Sequence, residues 1–125
     1  MDRDAVSAWL EGYFAAWASN DPQDVTALFT EDAAYAVSPF RKPWEGRDRI
    51  VKEWTSEAQD DLDHGFEVVA VDGDVAVAHW RVQARFDGAL QRTEMDGVLL
   101  LRFAPDGRCS EHREWYVTRE LPPGE

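Results

Sequence analysis

His112 and Glu114 stand two positions apart in the stretch EHREWYV, near the end of a chain of 125 residues. On a strand that spacing puts both side chains on one face, about 7 Å apart. A carboxyl set in an apolar wall resists ionisation, and an imidazole beside it can take or give a proton near neutral pH. The pair suits general acid–base chemistry on a small molecule, with the Tyr13 hydroxyl orienting an oxygen of that molecule. The same residues equally suit a quieter role, satisfying internal hydrogen bonds or tying the last strand to the first helix. No third group at a supporting spacing completes a metal site. Cys109 has only Arg108 as a basic neighbour, so a reactive thiol is not expected there. The chain carries no Gly-rich phosphate loop and no G-x-S-x-G elbow. Side chains alone can move protons, so no cofactor is expected.

The elements that must position these groups are legible in outline. Thr93 to Glu120 reads as two long strands joined at Ala104-Pro105-Asp106-Gly107, with Pro and Gly as turn formers. Upstream, Asp74 to Phe86 alternates cleanly. One face carries Ala76, Ala78, Trp80, Val82, Ala84 and Phe86; the other carries His79, Arg81 and Arg85. Asp72-Gly73 is a hairpin signal that joins this strand to another at Phe66 to Val71. Residues 3 to 18 place Val6, Trp9, Leu10, Tyr13, Phe14 and Trp17 at helical spacing, behind a possible cap at Asp2 or Asp4. Asn20-Asp21-Pro22 ends that helix and starts a short second one that buries Val25, Leu28 and Phe29. Ala33 to Ser38 reads as a strand. A third helix spans about Arg47 to Ala58, and the acidic segment Gln59 to Gly65 reads as an exposed loop. The order is helix, helix, strand, helix, then an antiparallel run of four strands, which predicts an α+β fold.

Thirteen Lys and Arg against 25 Asp and Glu give a net charge of −12. Nucleic acid and anionic membranes would be repelled, so neither is an expected partner. A hydrophobic content of 44% is enough for a packed core. No apolar run approaches the roughly 20 residues of a membrane span. Met1-Asp2-Arg3-Asp4 lacks the pattern of a secretion signal, and one cysteine allows no internal disulfide. The expectation is one domain over residues 1–121, a frayed tail at 122–125, and a cytoplasmic location.

Three stretches carry a resemblance: YFAAWASNDPQDVTALFTEDAAY at 13–35, PF…PWEGRDRI at 39–50, and DGVLLLRFAPDGRCSEHREWY at 96–116. They resemble the NTF2-like superfamily, in particular its SnoaL-like members. The resemblance implies a cone of three helices packed on the concave face of a strongly bent, mostly antiparallel sheet. It also implies a deep apolar pocket and homodimers formed through the outer sheet face. Ketosteroid isomerase, within that superfamily, matches at Tyr13. Its base position falls on Val37 and its buried acid position on Leu99, so isomerisation of that type is not implied. A one-residue slip of the long hairpin would swap its faces. The family pattern turns Met95, Gly97, Leu99, Leu101, His112, Glu114 and Tyr116 inward. The expected site is then His112, Glu114 and Tyr13 for chemistry. Trp17, Tyr35, Val37, Trp54, Trp80, Phe86, Leu99 and Tyr116 form the expected wall for a small apolar or aromatic molecule. Trp44 and Phe40 are candidates to cap the mouth, and a non-enzymatic binding or dimerisation module is the alternative. Val98, Leu100 and Trp115 fall on the outer face, where a second copy would cover them.

Overall fold

The computed structural model describes residues 1–123. Helix α1 spans Arg3–Ser19. The Asp2 carboxylate accepts from the Ala5 N–H at 2.8 Å, and Asp4 sits in the first turn, where negative charge complements the helix dipole. The helix stops at Asn20, whose left-handed backbone (φ 55°) lets its N–H bond the Ala16 carbonyl. Asp21 then caps α2, Pro22–Thr26, with Pro in the first turn. Strand β1, Phe29–Ala36, and the two-residue β2, Trp44–Glu45, precede α3, Arg47–Thr55. Strands β3 (Gln59–Asp72), β4 (Val75–Phe86), β5 (Thr93–Phe103) and β6 (Cys109–Glu120) complete the chain. Among the described residues, no helix is long and apolar enough to cross a membrane.

All six strands join one open sheet in the order β2-β1-β6-β5-β4-β3. Only β1 and β6 run parallel; the other neighbours are antiparallel. The helices cover one face, α1 packing on β3 and α3 on β1. The hairpin takes the register that turns Met95, Gly97, Leu99, Leu101 and Phe103 inward, all buried, while Asp96, Val98 and Arg102 are exposed. Trp80, Phe14, Phe29, Leu10, Ile50 and Leu99 are the largest side chains sealed in the core. The outer face is laced with polar pairs such as His79 with Asp96 at 2.8 Å and Gln83 with Glu94 at 2.7 Å.

Several expectations need correction. The acidic segment 59–65 is the first half of β3, not a loop. A bulge between Asp60 and Asp63, with Asp61 at φ 53°, breaks the alternation that would have announced a strand. Its carboxylates are matched across the sheet, Asp60 and Asp61 by Arg85, and Asp63 by Arg92 at 3.1 Å. His64, within that segment, stacks on Phe14 at 4.7 Å. Phe29 opens β1 rather than closing α2, and α3 ends at Thr55. Of the tail expected to fray, residues 124 and 125 lie outside the described residues.

Candidate functional site

Between the helices and the sheet lies a cavity of about 140 Å³. That is the size of an engineered cavity that takes up benzene, roughly 150 Å³. Helix α1 contributes Tyr13 and Trp17 to its wall, one turn apart on the face that α1 buries. Tyr35 and Val37 come from β1 and the residues after it, Trp44 from β2, Trp54 from α3, and Glu114 and Tyr116 from β6. Arg41, Glu53, Glu57, Gln59 and Met95 complete the lining. Arg41, Glu53, Glu57 and Gln59 were absent from the expected pocket wall, and Trp44 was expected at its mouth. Glu53 lies on α3 beside Trp54, whereas Glu57 follows the end of that helix at Thr55, so helical spacing does not link the two.

The walls are aromatic and tightly ordered. The Tyr13 and Tyr35 hydroxyls lie 2.9 Å apart. Trp54 meets Tyr13 edge-on at 5.2 Å, and Trp44 stacks on Tyr35 at 5.0 Å. Phe40, the other candidate to cap the mouth, is 98% exposed and leaves the mouth uncovered. A wider groove, about 630 Å³, opens beyond Glu114 and Tyr116 and runs past Phe40, Val98, Trp115 and Val117.

The structure separates the two members of the expected acid–base pair. Glu114 lines the cavity and is 6% exposed. His112 is sealed, 0% exposed, and does not line the cavity. Its ring lies against Tyr35 at 3.8 Å and 5°, so Tyr35 stands in front of it. Nδ1 of His112 is 3.9 Å from the Glu114 carboxylate, too far for a hydrogen bond, and neither ring nitrogen has a partner. Trp80 and Leu99 are also core rather than wall, and Phe86 packs against the core from a half-buried position. Tyr116 faces inward but is 41% exposed at the rim.

Burial sets the protonation states. It pushes the Glu114 carboxyl up to about 8; a hydrogen-bonding influence from Tyr35 pulls the other way, and the Glu57 charge adds to the rise. The Tyr35 hydroxyl can accept from Tyr13 while it donates to Glu114, and burial still outweighs that bond. Burial depresses His112 to about 3, leaving a neutral imidazole. Tyr13 and Tyr35 are raised well above 10, first by burial and then by Glu114, so both hydroxyls keep their protons. At neutral pH the cavity therefore presents a mostly protonated carboxyl and two neutral phenols. Burial also pushes the Cys109 thiol up to about 12, which makes it a poor nucleophile. Among the described residues no cluster of three or more His, Cys, Asp or Glu side chains is arranged to hold a metal ion.

Three helices on an open six-stranded mixed sheet, with a small cavity between them, make an α+β fold that matches NTF2-like structures. The chain belongs to the SnoaL-like domain family, whose profile matches residues 10–112. No curated protein matches it in sequence. Among solved structures it is similar to SalBIII, an epoxide hydrolase/cyclase-like enzyme studied for pyran ring formation in the polyether salinomycin. The TM-score is 0.79 at 15% identity, over 96% of this chain and 98% of that one. A computationally designed 17-OHP binder gives 0.78 at 14% identity, over 94% and 98%. An LEH-like epoxide hydrolase from Mycobacterium tuberculosis gives 0.70 at 14% identity, over 92% and 84%. At such identities the likeness is one of fold.

Proposed function

We propose that this chain binds a small, largely apolar organic molecule between its helices and its sheet, and acts on it by acid–base chemistry without a cofactor. The observation that carries this reading is Glu114. A carboxyl this deeply buried, with the Tyr35 hydroxyl as its hydrogen-bonding neighbour and no cation paired with it, opens onto an aromatic cavity. A merely structural wall would favour an apolar side chain there, because a carboxyl is costly to bury. Protonated at neutral pH, Glu114 gives its proton to a ligand oxygen held by the Tyr13 and Tyr35 hydroxyls. The carboxylate then recovers a proton from water or from the ligand itself. This covers lyase, isomerase and hydrolase steps. His112 acts from behind, bracing Tyr35. The fold's use in epoxide hydrolase-type enzymes and in a designed binder supports both catalysis and binding as uses of such a cavity.

The second reading, binding without turnover, is favoured by the distance that keeps His112 from Glu114 and from the cavity. A thermal-shift screen of small aromatic and terpenoid compounds tests the pocket. A compound present at about a hundred times its Kd stabilises the fold by roughly 2.7 kcal/mol. Filling the cavity with Val37→Trp should abolish that shift; an equal shift in both proteins would place the ligand elsewhere. For any compound that is turned over, Glu114→Gln should lower kcat by about a hundredfold or more. Turnover that survives Glu114→Ala would leave only the binding role.

A cytoplasmic homodimer completes the proposal. Val98, Trp115 and Val117 are exposed on the outer side at 39%, 38% and 73%, beside the nearly bare Phe40. A patch of that kind suits a second copy. Sedimentation should give a dimer at micromolar concentration, and Trp115→Glu with Val117→Glu should give a monomer. A wild-type monomer would reject the dimer.

A further inference from the structure

The ionisable groups around the cavity are mostly acidic. Glu53, Glu57 and Glu114 border it against one cation, the exposed Arg41. Glu53 is matched by Arg49 at 3.0 Å, which leaves Glu57 and Glu114 without a cationic side chain. The imbalance is felt inside. Glu57 pushes Glu114 up, and Glu114 in turn pushes up Tyr13, Tyr35 and Tyr116. Aromatic ring faces are electron-rich as well, and a cation gains from lying over them. A neutral ligand would answer the two phenols but would leave the ring faces without a cation and the Glu114 carboxyl without a group that favours its ionised form.

The geometry points to an organic ammonium as the ligand class, its cationic head among Tyr13, Tyr35, Trp44 and Trp54, against the Glu114 carboxylate, with an apolar body toward the mouth. The inference rests on the pocket reading above and gives that pocket a substrate class. Size agrees: a tetrahedral ammonium of five heavy atoms is close to benzene in bulk, and a comparable cavity of about 150 Å³ takes up benzene. Binding also changes the chemistry of the site. A cation beside Glu114 favours its ionised form, so the carboxyl gives its proton to solvent and becomes a base. The groups facing it are Tyr13 from α1, Tyr35 from β1, Glu57 after α3, His112 and Tyr116 on its own strand, and Arg41 at the rim. Only Arg41 among them carries positive charge, and it is exposed.

Calorimetry on the full chain at pH 7 tests this with two probes of one shape. They are (2-hydroxyethyl)trimethylammonium and its neutral carbon isostere, 3,3-dimethylbutan-1-ol. The ammonium should bind about tenfold tighter. It should also release about one proton, seen as a heat that changes with the ionisation enthalpy of the buffer. Glu114→Gln should bring the ratio of the two affinities close to one and remove the buffer dependence. Should that variant fail to fold, Glu57→Gln, at an exposed position, should still lower the ratio by roughly twofold. Equal binding of both probes would overturn the ammonium assignment and leave the apolar pocket standing. Failure of both probes to bind at millimolar concentration would overturn the assignment together with the pocket reading.

Discussion

Glu114→Gln is expected to stabilise the protein at alkaline pH and to change little near pH 5. Between 4.5 and about 8 the unfolded chain has released this proton while the folded chain retains it. Raising the pH across that window therefore draws the equilibrium toward the unfolded state, and the loss is complete above 8. Each pKa unit is worth about 1.4 kcal/mol, so the ceiling is roughly 5 kcal/mol. Local relaxation and water entry reduce this to an expected 2–3 kcal/mol, or roughly 5–10 °C in Tm at pH 9. The amide has nearly the same shape and never ionises. His112 works in the opposite direction on the acid side. Its folded pKa of about 3 lies below the ordinary 6.5, so stability falls as pH drops from 6.5 toward 3. From 4.5 to 6.5 the two effects oppose each other. The difference between wild type and Glu114→Gln, measured by urea unfolding at pH 5, 7 and 9, isolates the Glu114 share. A difference that does not grow with pH would contradict the assignment.

Gly97→Ala should cost about 3 kcal/mol or more, and lower Tm by roughly 10 °C. Gly97 sits mid-strand in β5, directly opposite Tyr116 of β6, with Trp115 beside it. A methyl group there would press into the Trp115 carbonyl oxygen and stand 2.7 Å from the Tyr116 Cβ. These are backbone-fixed atoms of the neighbouring strand, so the strands themselves must separate. Glu114 and Tyr116 ride on that strand, so the cavity loses its floor with the pairing. Gly65→Ala is the contrast. Its new methyl meets only the end of the flexible Arg81 side chain, at 3.7 Å, and the change should stay within about 0.5 kcal/mol. Equal stability of the two variants by chemical denaturation would show that the close approach at Gly97 carries no cost.

The parts of the fold that rest on local chemistry were legible in the sequence. Asp2 and Asp21-Pro22 announced the helix starts, and the alternation in β4 announced its inner face. The hairpin register was given by the resemblance and not by hydrophobicity, because a slip that exposes Leu99 and Leu101 would bury Val98 and Leu100 instead. What was hidden depends on contacts distant in the chain. The strand at 59–65 was masked by its bulge and by partners, Arg85 and Arg92, more than twenty residues away. His112 and Glu114 share a face, as their spacing required, but depth along that face is set by β1. Tyr35 pairs directly with His112 across the parallel β1–β6 contact and lays its ring over the imidazole. Two residues further on, Glu114 reaches the cavity, and two further still Tyr116 reaches the rim. A period of two reports the face of a strand and nothing about what lies over it.

The account turns on a carboxyl held neutral in an aromatic hollow. Carbon-detected NMR of the Glu114 side-chain carboxyl, titrated from pH 4 to pH 10 in the free protein, measures that directly. The account predicts a midpoint near 8. A midpoint near the ordinary 4.5 would mean a solvated, ionised carboxylate, and the acid–base role drawn from its burial would fall.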